Sequence, residues 1–272
     1  MIGVDAILRN ISTRAQVLTG DNVLIGGFIV TGTQPKNVIV RAIGPSLKSG
    51  GQPVPGAMQD PTLELHNPNS VIATNDNWKI DDQTQQSQQA QIEATGVAPT
   101  DDRESALVRT LSPGNYTVVL RGKNSGTGIA VVEFYDLDST AANSKLGNIS
   151  SRGLVQTGDN VMIGGFVAGP NSAAPCDVLI RGIGPSLSGS HVPNPLQDPT
   201  LELHDGNGNK IAFNDNWKDS QQSDIQATGL SPSDGRESAI FISELAPGPY
   251  TAILAGKNNT TGIGLVEIYN LP

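Results

Sequence analysis

Short apolar stretches separated by turn residues recur along the whole chain, and within them apolar and polar positions alternate. A period of two is the mark of a half-buried strand, because successive side chains leave opposite faces of the pleat. Tyr116, Val118 and Leu120 share one face by this rule, as do Val132, Phe134 and Asp136. In the first half of the chain the pattern predicts strands over residues 22–31, 37–43, 62–66, 106–111, 116–121 and 129–135. A Gln-rich stretch, 83–94, fits one or two helical turns, and its counterpart, 220–227, is shorter, as surface loops tolerate.

The second half repeats the first. Gln59-Asp60-Pro61-Thr62-Leu63-Glu64-Leu65-His66 returns intact from Gln197 to His204. Ile43-Gly44-Pro45-Ser46-Leu47 returns at Ile183, Asn75-Asp76-Asn77-Trp78 at Asn214, and Arg103-Glu104-Ser105-Ala106 at Arg236. Repetition with strand-type patterning implies an all-β chain of two tandem, homologous β-sandwich domains, jelly-roll or immunoglobulin-like. The expected division is an N-terminal extension, 1–9, a first repeat, 10–137, a linker, 138–145, and a second repeat, 146–272.

Composition narrows the function. Aromatics make up 4% of residues, so Val, Ile, Leu and Ala must form the cores. The formal net charge is −9, with no basic stripe to neutralise phosphates, which argues against nucleic acid and anionic membrane surfaces. No apolar run reaches the ~20 residues of a membrane-spanning helix. The first six residues show no basic region followed by an apolar one, so no signal peptide is expected in this sequence. A single cysteine, Cys176, excludes an intrachain disulfide and is expected to be buried and inert.

Chemistry-bearing patterns are few. No Gly-x-Ser-x-Gly elbow and no Cys/His metal motif occurs, and His66 and His204 end matching strands with their rings toward solvent. Neither an enzyme nor a cofactor is expected. Arg103-Glu104 and Arg236-Glu237 read as ion pairs at a loop–strand junction. Asn75-Asp76-Asn77 and Asn214-Asp215-Asn216 are rich in oxygen, which suits either calcium or Asx side chains capping their own turns. Trp78 and Trp217 follow those turns, where an indole either plugs the loop from below or stacks on a sugar ring.

The run from Leu201 through Asn207-Gly208, with Ile211-Ala212, Asn214-Asp215 and Leu245-Ala246-Pro247-Gly248-Pro249-Tyr250-Thr251, resembles bacterial pre-peptidase C-terminal-like sandwich domains. Over nearly all of both copies the repeat also resembles a module of large secreted proteins of environmental bacteria. That resemblance implies an extracellular or cell-surface location and no particular activity. A tandem pair with an N-terminal strand further resembles protomers of pilus-like fibrils assembled by donor-strand exchange. Ile2, Val4, Ala6 and Leu8 alternate with Gly3, Asp5 and Ile7, giving a strand with one apolar face. Tyr135-Asp136-Leu137 runs on into a further segment, whereas Tyr269-Asn270-Leu271 is followed only by Pro272. The expected function is therefore a fibril subunit whose N-terminal strand completes the second domain of another copy, making a homopolymer. The alternative is a carbohydrate- or surface-binding module using the loops that carry Trp78 and Trp217.

Overall fold

The computed structural model describes residues 7–138, 143–169 and 175–271, with side chains from residue 10 onward. In chain order the first copy contributes β1 (Ile7–Val17), β2 (Leu24–Gly32), β3 (Lys36–Ile43), β4 (Lys48–Ser49), β5 (Gln52–Pro53), β6 (Pro61–His66) and β7 (Val71–Asn75). After these come α1 (Gln89–Glu93), β8 (Ser105–Leu111), β9 (Gly114–Gly122) and β10 (Gly128–Asp136). The second copy supplies β11 (Ser144–Val155), β12 (Met162–Gly169), β13 (Cys176–Ile183), β14 (Pro199–His204) and β15 (Lys210–Asn214). It ends with α2 (Gln222–Ala227), β16 (Ser238–Leu245), β17 (Gly248–Gly256) and β18 (Gly262–Asn270).

The fold is all-β and antiparallel, and the chain forms two compact units. The first-repeat unit is Ser12–Leu146; the second-repeat unit joins the residues up to Ile11 to those from Gly147 onward. In the first-repeat unit one sheet runs β7-β6-β9-β2 and the other β8-β3-β10-β1. Thr31 Oγ1 donates to Lys145 O at 3.2 Å, where the start of β11 lies beside β2. Phe28 on β2 and Phe134 on β10 meet across the layers, ring centroids 5.1 Å apart. A side chain at Gly26 would run into the Phe134 ring, so glycine there lets the sheets close. In the second-repeat unit the sheets run β15-β14-β17-β12-β1 and β16-β13-β18-β11. Here Gly182 on β13 fills the corresponding role: a Cβ would lie 2.7 Å from Leu254 on β17.

Alternation holds where one sheet face meets the core, as in β6 and β14, whose odd-numbered members Leu63, Leu65, Leu201 and Leu203 are buried. It fails in β3 and β13 because they are covered on both faces. Ile39 packs outward against Trp78, Ile92, Ala106 and Val108, and Leu179 against Trp217, Ile225 and Ala239. The two Gln-rich stretches are thus lids on β3 and β13. The segment 138–145 is not wholly a linker: Ser144 and Lys145 already belong to β11, and Leu146 is fully buried. Among the described residues no helix is long and apolar enough to cross a membrane.

Candidate functional site

The Asn-Asp-Asn-Trp and Arg-Glu-Ser-Ala motifs come together in each unit as a polar lattice. In the first-repeat unit the Glu104 side chain is fully buried, and its Oε1 accepts from the Gly44 amide at 3.0 Å, the Ser46 amide at 3.0 Å and the Ser46 hydroxyl at 2.7 Å. A carboxylate this buried is tolerable only because so many donors converge on it. Gly44 is required at the turn, since a Cβ there would strike the Met58 carbonyl. Asn75 Oδ1 accepts from the Ala106 amide at 2.9 Å, and Asn75 Nδ2 donates to Ile80 O at 2.7 Å. Asp76 accepts from Lys123 Nζ at 2.6 Å.

The second-repeat unit rebuilds this lattice. Glu237 Oε1 accepts from Gly184 at 3.1 Å, from the Ser186 amide at 3.0 Å and from the Ser186 hydroxyl. Asn214 Oδ1 accepts from the Ala239 amide at 3.0 Å, and Asp215 from Lys257 Nζ at 2.5 Å. The expected Arg103–Glu104 and Arg236–Glu237 pairs do not form. Each arginine turns back to the aspartate two residues earlier, with Arg103 Nη2 2.8 Å from Asp101 Oδ2 and Arg236 Nη2 2.7 Å from Asp234 Oδ2. Those hydrogen bonds hold the Asp101 and Asp234 carboxyls below the usual carboxylate range.

The indoles lie inside this lattice. Trp78 is 5% exposed and Trp217 4%, with Nε1 donating to Asp101 O and Asp234 O, both at 3.1 Å. Neither ring is open to a sugar, so the loops bearing them cannot act by stacking. Asn75, Asp76, Trp78, Asn214, Asp215 and Trp217 are brought together, copy by copy, as turn architecture. Among the described residues no three His, Cys, Asp or Glu side chains gather as a metal would need. Cys176 is half-buried; burial and then the charge of Asp177 push its thiol up.

Of the expected donor residues, Ile2, Val4 and Ala6 lie outside the described residues, and Leu8 is described in its backbone alone. The backbone from Ile7 forms β1, which is hydrogen-bonded to β12 of the same chain. Of the expected donor segment, only Ile7 and Leu8 therefore belong to a described strand.

What sequence reading missed is an open face on the second-repeat unit. Directly opposed residues of the antiparallel strands β15, β14, β17 and β12 place Phe213, Glu202, Ile253 and Ile163 in one row. Phe213 is 53% exposed and Ile211 46%, both on the edge strand β15. A bulge between Leu203 and His204 leaves Ile211 without an opposite residue. Beside them, His204 Nε2 lies 2.9 Å from Glu202 Oε2, Lys210 Nζ donates to Glu202 Oε1 at 3.2 Å, and Lys210 Nζ lies 5.7 Å from the Phe213 ring centroid. The bond with His204 first, and then Lys210, holds the Glu202 carboxyl below its ordinary range. In the first-repeat unit the same row reads Thr74, Glu64, Val119 and Ile25, and Thr74 Oγ1 donates to Asp82 at 3.4 Å. The sequence signal was the change of Val71 to Lys210 and of Thr74 to Phe213 inside a strand pair matched at its other positions.

No family model matches the chain, and no curated protein matches it. Among solved structures it is similar to the M60 catalytic domain with the CBM51-1 and CBM51-2 domains from Clostridium perfringens ZmpB, at 6% identity and TM-score 0.23. That match covers 89% of this chain and 33% of the other, so the chain spans a third of its length. PNGF-II is matched at 9% identity and TM-score 0.24, covering 99% of this chain and 58% of that one. Pleurotus Ostreatus lectin, apo form, is matched at 12% identity and TM-score 0.17, covering 98% of this chain and 73% of the lectin. Overlaps of this size carry no argument about function, and they support neither the pre-peptidase nor the fibril resemblance. The sandwich assignment rests on the strand pairing itself.

Proposed function

We propose that the chain is a non-catalytic, extracellular binding module that attaches to surface carbohydrate through the β14–β15 face of its second-repeat unit. The observation that carries this reading is Phe213, an aromatic ring 53% exposed beside an acceptor, an imidazole and an ammonium. A sugar offers an apolar C–H face ringed by hydroxyls. Ring stacking answers the first, and a few oriented polar groups answer the second. Moving the Lys210 ammonium off the ring frees it for a pyranose, while Glu202, fixed from its far side by His204, accepts a hydroxyl. A glycan array probed with the intact chain and with Phe213→Ala tests the proposal. Binding by the parent that the variant loses at unchanged fold supports it; absence of any glycan binding by the parent rejects it.

A second reading, assembly of copies, draws on β1. Because β1 is far in sequence from the rest of the second-repeat unit, the pairing with β12 can be exchanged between chains without new contacts, as in domain swapping. Light scattering over a wide concentration range, with and without residues 1–9, tests it: a ladder of oligomers that the truncation abolishes favours exchange, and a monomer throughout rejects it.

A further inference from the structure

Lys36 is a lysine on the inner face of a sandwich. On β3 it shares that face with Val38, Val40 and Ala42, all buried, and its side chain is 0% exposed. Asp136, the last residue of β10, stands on the same inner face beside Phe134 and Val132, and its side chain is also 0% exposed. Lys36 Nζ lies 3.0 Å from Asp136 Oδ2 and 3.1 Å from Asp136 Oδ1, so the ammonium faces the carboxyl carbon rather than one oxygen. A third group completes the cluster. Asp138 Oδ1 lies 3.1 Å from Nζ, and Asp138 is anchored by the Asn37 amide on Oδ2 at 3.2 Å and by its own amide to Asp136 Oδ1 at 3.0 Å. At the matching positions of the second copy stand Cys176 and Asn270. The scaffold therefore does not need this cluster.

We propose that Lys36 and Asp136 join as an intramolecular amide cross-link, with Asp138 as the proton acceptor. In the reactive form Lys36 is an ammonium, Asp136 a neutral acid and Asp138 a carboxylate. Asp138 takes a proton from Nζ, and the free amine adds to Cγ of Asp136. The new C–N bond forms as the Cγ–OH bond breaks, and the hydroxyl leaves with the second amine proton as water. The products are one amide, one water and a protonated Asp138; no oxidant, reductant or co-reactant enters. The surroundings favour each role. Burial raises the Asp136 carboxyl against the pull of Lys36, which favours the neutral acid an amine can attack. Burial also pushes Asp138 up, but hydrogen bonds from Lys36 and the Asn37 amide bring it below the ordinary range, so it stays ready to accept the proton. Seclusion from water removes the reverse reactant, and an amide relieves the cost of keeping two ions out of solvent.

This inference is independent of the carbohydrate reading. The test is mass spectrometry of the denatured intact chain and of its digest. The parent is expected to weigh one water less than its sequence and to yield a linked peptide pair containing Lys36 and Asp136. Lys36→Met should return to full mass, and Asp138→Asn should accumulate the link many-fold more slowly. Because Asp205-Gly206 can also lose water by cyclising, the linked peptide pair, not the mass alone, decides. A parent at full mass, or one yielding only unlinked peptides after prolonged incubation, overturns the proposal whatever the variants do.

Discussion

At the head of β3 the first-repeat unit carries Lys36, facing Asp136 in the core; at the head of β13 the second carries Cys176, and Asn270 stands where the first has Asp136. On the outer row the first has Thr74, bonded to Asp82, and the second has Phe213, exposed. Held in common are the buried glutamate under the Gly-Pro-Ser turn, the asparagine that ties the loop to β8 or β16, and the indole beneath. Duplication separates what the fold requires from what it merely permits. The shared contacts satisfy buried polar groups and fill space, and either copy would fail without them. The unshared residues can differ because the sandwich closes with or without them.

If the shared contacts are scaffold, disabling them should hurt both units alike. Trp78→Ala and Trp217→Ala are each expected to cost about 3–5 kcal/mol, the usual range for emptying a packed indole site. Urea unfolding followed by circular dichroism checks this, and a large cost in one copy only would break the comparison. Glu104→Ala and Glu237→Ala come next. Each leaves amide and hydroxyl donors buried without an acceptor, so each should cost about 3 kcal/mol, with orphaned donors at ~1–3 kcal/mol apiece.

A smaller, pH-dependent effect should also be symmetrical. Asp101 and Asp234 have folded-state values below 3.8 through their arginine hydrogen bonds. The stability they contribute is complete above that value and fades as pH falls through the lower folded one. Acid titration of thermal stability should therefore be less steep, and equally so, in Asp101→Asn and Asp234→Asn. Phe213→Thr should do least to the fold, within about 0.5 kcal/mol, because an exposed ring on an edge strand fills no core.

The architecture was largely open to sequence reading because it rests on local signals. Period-two alternation located the inner faces of β6, β9 and β10, and the repeat declared itself. What stayed hidden depended on distance along the chain. Glu104 was paired with its neighbour Arg103, whereas its real donors lie near Gly44, brought close only by the fold. The same distance hid Lys36 and Asp136, although the alternation already set Asp136 on a face with Val132 and Phe134, where a carboxylate demands a partner. Ile211-Ala212-Phe213 was silent for another reason. An apolar run reads as core unless one knows that β15 ends its sheet, and strand order is not written in local pattern. The tryptophans offered two readings, and burial beneath their loops, a tertiary property, decides between them.

The central claim is that shared residues build the sandwich and the unshared aromatic face of the second copy binds. It is tested most directly by measuring binding of the intact chain, Phe213→Thr and Thr74→Ala to one panel of immobilised glycans, with unfolding midpoints recorded in parallel. The account predicts that Phe213→Thr loses binding, that Thr74→Ala keeps it, and that all three midpoints agree. Undiminished binding by Phe213→Thr, at an unchanged midpoint, would contradict it.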